Sequence, residues 1–198
     1  MSKKLMVAIS EPSREDFIEI KDLFKSVLFD LYRREGIFET FQEILQSELE
    51  EKEEALLAFY EEPNKLPYFL LAKIDDSVAK LDDSVTKLDG KCVGIIALTV
   101  PNSLISENLE RYEIGDPSFS PEVASVFVLP EFQGLSIGVQ LLEGIKTALN
   151  KKGYHSFYLD CGYTKSQPYW EKQLGAPTKI LKNYWSDGIH HMIWKKNL

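Results

Sequence analysis

Val126-Phe127-Val128-Leu129-Pro130-Glu131-Phe132-Gln133-Gly134-Leu135-Ser136-Ile137-Gly138 decides how this chain folds. A β-branched and aromatic run, Glu122 to Val128, reads as a buried strand. Pro130 ends regular pairing. A turn rich in small residues then opens a helix over Gly138–Lys152, with Val139, Leu142, Ile145 and Leu149 as its buried stripe and Gly153 as its stop. The N-terminus of such a helix offers unpaired N–H groups and the positive end of the macrodipole, a site suited to phosphate. Gly134 and Gly138 would let backbone approach an anion closely. An ordinary strand-to-helix turn, with glycine for packing, is the competing reading.

Working outward, His155–Asp160 reads as a strand and Gln167–Leu174 as a short helix. Ile180–Trp185 and Ile189–Trp194 read as two strands around Ser186-Asp187-Gly188. On the N-terminal side, Leu5–Ser10 is β-prone. Ser13-Arg14-Glu15-Asp16 is a capping-box pattern for a helix carrying Phe17, Ile20, Phe24, Val27, Leu28 and Leu31, broken at Gly36. A second helix is expected over Phe38–Tyr60, with Phe41, Ile44, Leu45, Leu49, Leu56 and Phe59 inward. Ten glutamates and one lysine lie from Glu35 to Glu62, either a solvated helix face or an acidic rim for a cationic acceptor. Tyr68–Ile74 and Lys91–Val100 read as strands. Between them Asp75-Asp76-Ser77-Val78-Ala79-Lys80-Leu81 is nearly repeated as Asp82-Asp83-Ser84-Val85-Thr86-Lys87-Leu88, so 75–89 reads as a duplicated insertion in a hairpin loop. Residues 101–120 read as a long loop. The element order is α/β, with an antiparallel start and one β-α-β unit.

The 198 residues suit a single domain, and 44% apolar with 27% charged residues excludes wholesale disorder. A net charge of −8 argues against nucleic acid as partner and mildly favours a cationic substrate. Cys92 and Cys161 are too few for a disulfide framework and read as free thiols. There is no transmembrane run and no signal-peptide pattern, so a cytoplasmic protein with no membrane partner is expected. His155, His190 and His191 lack metal-ligand spacing, so no metal is expected. Of the adjacent His190 and His191, one is expected to be packed and one exposed.

Gln133-x-x-Ser136-x-Gly138, with its lead-in Phe127-Val128-Leu129-Pro130-Glu131-Phe132, resembles the Gln/Arg-x-x-Gly-x-Gly/Ala signature of the GNAT N-acetyltransferase superfamily. The middle glycine is replaced by Ser136, which would be strained if φ there is positive. Tyr163 to Gly175, containing Tyr169-Trp170-Glu171, is similar to the family's last helix, with one extra residue before Leu174-Gly175. The resemblance implies a mixed, mostly antiparallel central sheet flanked by helices over residues 1–198. It implies acetyl-CoA as co-substrate, with backbone contacts from Phe127 and Val128 and phosphate contacts from Gln133, Gly134, Leu135, Ser136, Ile137, Gly138 and Val139. It further implies direct acetyl transfer to a primary amine, borne by a small molecule or a protein. Tyr169, or secondarily Tyr163, would protonate the departing thiolate, and aromatic packing is the alternative role for both. Glu122 lies six residues before Val128, hence on the same strand face by alternation, and would be the base; an exposed strand-end glutamate is the alternative. A non-catalytic acyl-CoA-binding or protein-interaction module of the same fold, and a homodimer, both stay open.

Overall fold

The computed structural model describes residues 4–74, 90–109 and 119–198. Its elements are β1 (Val7–Ser10), α1 (Phe17–Glu35), α2 (Gln42–Glu61), β2 (Tyr68–Ile74), β3 (Cys92–Thr99), α3 (Ser103–Asn108), β4 (Glu122–Val128), α4 (Ile137–Lys151), β5 (Ser156–Cys161), α5 (Gln167–Leu174), β6 (Lys179–Ser186) and β7 (Ile189–Asn197). The strands form a seven-stranded mixed sheet in the order β1-β2-β3-β4-β5-β7-β6. β1–β2, β5–β7 and β6–β7 are antiparallel, while β4–β5 is parallel, with Glu122 opposite Tyr158. A parallel pair requires a crossover connection, and α4 supplies it.

The chain divides into two compact units, residues 1–97 with 125–145 and residues 98–124 with 146–198. In the first unit, Ile20, Leu23, Phe24, Val27, Leu28, Leu31 and Tyr32 form the buried stripe of α1. The capping box forms as the sequence suggests, with Asp16 Oδ2 accepting from Ser13 N at 2.8 Å and from Ser13 Oγ at 2.9 Å. Gly36 closes α1 in the left-handed region at φ 74°. In the second unit, Ile105, Tyr158 and Ile193 form a small core with Leu109 and Leu181 against it.

Several expectations change. The stretch read as a loop holds α3, started by Asn102, whose side chain accepts from Ile105 N at 2.9 Å. Three local cues, an Asx cap, a buried Ile105 and no internal glycine, outweigh Pro101. Helix α2 begins at Gln42 rather than Phe38, and Phe41 and Ile44 are exposed. Leu45, Leu49, Leu56 and Phe59 carry its burial. Of the two adjacent histidines, His191 is buried and His190 half-buried. Both cysteines are buried thiols outside any disulfide among the described residues. The duplicated segment 75–89 lies outside the described residues, as do residues 110–118 of the expected loop. No described helix is long and apolar enough to cross a membrane.

Candidate functional site

The strand-to-helix turn is built in the first unit. Leu129 N donates to Val93 O at 3.0 Å, and a Cβ on Gly94 would lie 3.0 Å from Phe127 O. Phe127 and Leu129 therefore direct their backbone groups towards β3, which leaves those of the intervening Val128 on the opposite edge. Only glycine at 94 admits this approach, since its Cβ would also meet Leu141 Cδ1 at 3.0 Å and Ile137 Cγ2 at 3.3 Å. The buried side chains of Ile137 and Leu141 thus seat the start of α4 on β3. Phe127 packs edge-on against Phe24, with ring centroids 6.0 Å apart.

After a 3-10 turn at Pro130–Phe132, the chain passes through two left-handed residues, Gly134 at φ 75° and Ser136 at φ 64°. Alternation of left-handed with ordinary residues turns successive N–H groups inward, forming an anion-binding concavity at the positive end of α4. A Cβ on Gly134 would meet nothing within 4 Å, so the mouth of this turn is open. Gln133 and Gly134 are exposed, Leu135, Ser136, Gly138 and Val139 are half-buried, and Ile137 is buried. Leu135 O accepts from Leu5 N at 3.1 Å, and Gln140 Nε2 donates to Leu5 O at 2.7 Å, so the N-terminal segment braces the turn.

Gln133 is fastened at both ends. Its Nε2 donates to Val128 O at 3.1 Å and its Oε1 accepts from Arg34 Nη1 at 3.2 Å. Arg34, itself paired with Asp30 at 2.6 Å, brings a guanidinium to the turn through Gln133. The sequence reading missed this residue because its partner is 99 positions away. The turn therefore combines inward N–H donors with an open mouth.

The proposed proton-handling residues belong to the second unit. The Tyr169 hydroxyl is buried and has no hydrogen-bond partner among the described residues, and burial raises its pKa above the ordinary phenol value. Its ring meets that of the buried Trp170 edge-on, with centroids 4.9 Å apart. Helix α5 is anchored by Gln167, whose Nε2 donates to Cys161 O at 3.2 Å and His190 O at 2.9 Å. Tyr163 caps this helix with its carbonyl, which accepts from Ser166 N at 3.0 Å and Gln167 N at 3.2 Å.

Glu122 is buried, not exposed at a strand end. It accepts from Asn102 N at 2.9 Å and lies 3.4 Å from Asn102 Nδ2. Ser125 takes φ 49° between Glu122 and Val128, as at a β-bulge. A left-handed residue in mid-strand breaks the alternation that was expected to put the two side chains on one face.

Residues 34–176 match the family model described as Acetyltransferase (GNAT) family. Among curated proteins, no sequence relative is found. PaiA N-acetyltransferase from Thermoplasma acidophilum, solved with coenzyme A, is 18% identical at a TM-score of 0.62, over 98% of this chain and 100% of its own. Ribosomal-protein-alanine N-acetyltransferase from Brucella melitensis is 15% identical at 0.63, over 96% and 99%. Aminoglycoside 6′-acetyltransferase type Ii is 17% identical at 0.55, over 96% of each. At these identities the likeness concerns the fold.

Proposed function

Because the chain belongs to the acetyltransferase (GNAT) family, we propose that it moves acetyl from acetyl-CoA directly to a primary amine. The observation that carries this reading is the turn from Gln133 to Val139, with its left-handed Gly134 and Ser136 at the start of α4. Its N–H groups would hold the pyrophosphate, with Arg34 adding charge from the side. At Val128, whose carbonyl accepts from Gln133 Nε2, the N–H would face the pantetheine arm and polarise the thioester carbonyl.

Bound acetyl-CoA supplies an activated acyl group. Glu122 takes a proton from the acceptor ammonium, freeing its lone pair. The amine nitrogen bonds to the thioester carbon, the resulting tetrahedral adduct expels the thiolate as the C–S bond breaks, Tyr169 gives that thiolate its proton, and the second nitrogen proton restores the phenol. As a phenol, Tyr169 holds a proton at neutral pH and can donate it. The acceptors printed for two structural neighbours, a ribosomal-protein alanine and an aminoglycoside, differ widely. The acceptor is therefore proposed only as a primary amine.

Thiol release from acetyl-CoA, measured over a panel of polyamines, amino acids, aminoglycosides and peptides, tests the proposal. Amine-dependent release is expected. Tight coenzyme A binding with no release for any amine would replace the enzyme by a non-catalytic acyl-CoA-binding module. Tyr169→Phe is expected to lower kcat roughly ten- to a thousandfold with the KM for acetyl-CoA nearly unchanged, since the ring remains. Full activity in that variant would move the role to Tyr163 or to water.

A further inference from the structure

Asn102, at the entry to α3, engages both polar atoms of its side chain. Its Oδ1 accepts from Ile105 N at 2.9 Å, which caps the helix. That donor fixes which way round the amide sits, so Nδ2 points to the other side. There Nδ2 donates to Asp160 Oδ2 at 2.8 Å and reaches Glu122 Oε1 at 3.4 Å. An amide nitrogen carries two hydrogens and can serve both carboxyl groups at once. The main-chain N–H of Asn102 donates to the other Glu122 oxygen, Oε2, at 2.9 Å.

Capping alone does not call for asparagine, since serine, threonine or aspartate supply an equivalent oxygen. Among these caps only asparagine adds the Nδ2 donor that meets the two carboxyl groups. Aspartate would set a further oxygen against them. Asn102 is exposed whereas Glu122 is 6% exposed, so hydrogen bonds rather than packing orient the amide. The first turn of α3 fixes its oxygen and Asp160 on β5 fixes its nitrogen. Asn102 in turn meets both oxygens of Glu122, one of them through a main-chain N–H that has no rotamer to change. A glutamate side chain turns about several torsions, and two donors from one residue set the plane of its carboxyl group.

We propose that Asn102 is a positioning residue for acetyl transfer: it fixes the orientation of Glu122, the proton acceptor of that reaction, and Asp160 keeps Asn102 in place. A base must meet its proton at hydrogen-bond distance, and a small misplacement of a reacting group costs much of the rate. The inference rests on the acetyl-transfer reading for the role of Glu122.

Asn102→Ser keeps a capping oxygen and the main-chain N–H but removes Nδ2. It should lower kcat roughly tenfold to a hundredfold, with the KM for acetyl-CoA and the melting temperature close to wild type. Asn102→Asp, of the same shape and still a cap, should lose at least as much. Introduced into Glu122→Gln, the serine substitution should lower kcat by less than about twofold, because the group it positions is already gone. Equal kcat in wild type and Asn102→Ser would overturn the proposal. So would the same proportional loss in both backgrounds, which would make Asn102 act independently of Glu122. An NMR coupling across the hydrogen bond, from the Asn102 main-chain 15N to the Glu122 carboxyl 13C, is expected in the wild type. Its absence would overturn the proposal whatever the turnover. A measurable coupling with no thiol release for any amine would instead refute the acetyl-transfer reading, and the role of Asn102 would fall with it.

Discussion

At position 136 a serine occupies a backbone conformation that glycine adopts freely, with φ 64°. Left-handed geometry disfavours an L-residue by about 1–2 kcal/mol. A glycine there would lose about 0.5–1 kcal/mol through its greater freedom in the unfolded chain. Ser136→Gly is therefore expected to leave stability unchanged or raise it by up to about 1 kcal/mol, read from urea midpoints. Destabilisation beyond that size would mean that the serine side chain contributes more than its backbone strain removes. The left-handed state is locally unfavourable, so its persistence indicates that the surrounding turn imposes it.

Elements in the first unit are joined by a few strong polar links. Asp16, at the entry to α1, accepts from Lys73 Nζ on β2 at 2.6 Å. Desolvation raises the Asp16 pKa, but the Lys73 and Ser13 hydrogen bonds outweigh it, and the net value falls below the usual 3.8. A carboxyl depressed on folding stabilises the protein above its unfolded pKa, and that contribution fades as pH falls through the folded value. Wild-type stability should thus drop more steeply than that of Asp16→Asn as pH is lowered below about 4. Parallel curves from denaturant melts at pH 2.5–6 would refute the linkage. Strands β2 and β3 meet at a closed base, with Gly90 N donating to Ile74 O at 3.1 Å and Ile74 N to Lys91 O at 3.0 Å. Deleting Ser77 to Asp83 leaves that base intact, and closure entropy depends only weakly on length. The melting temperature and coenzyme A affinity of the deletion variant should stay close to wild type. Loss of soluble protein would assign the repeat a packing role.

For the whole molecule, a ligand that binds only the folded state must raise its stability by mass action. Coenzyme A at a hundred times its Kd should add about 2.7 kcal/mol, seen as a rise in Tm that continues with concentration. Gly134→Asp places a carboxylate at the open mouth of the turn, where a Cβ meets nothing within 4 Å. It should lower coenzyme A affinity more than tenfold and erase most of the thermal shift, while the left-handed φ of 75° lowers the Tm of the free protein by the few degrees that about 1–2 kcal/mol costs. Equal thermal shifts in the two proteins would remove the turn from the binding site.

The order of strands and long helices could be read from the chain because its signals are local. Hydrophobic periodicity marked α1 and α4, the Ser13–Asp16 box opened α1, and Gly36 and Gly153 closed helices. The turn before α4 was legible for the same reason: its glycines, proline and helix start are contiguous. Residues brought together across the chain left no such trace. Arg34 meets Gln133 from 99 positions away, and Asn102 meets Asp160 from 58. Buried Glu122 is hydrogen-bonded by Asn102, the N-cap of a helix at 103–108 that had been read as loop. The side-chain parity expected of β4 failed at Ser125, where a non-glycine takes a left-handed conformation. His191 meets Trp185 only because β6 and β7 pair. Local propensity is written in adjacent residues, whereas hydrogen-bond partners, exposure and proton position depend on which distant groups the folded chain sets within about 3 Å of each other.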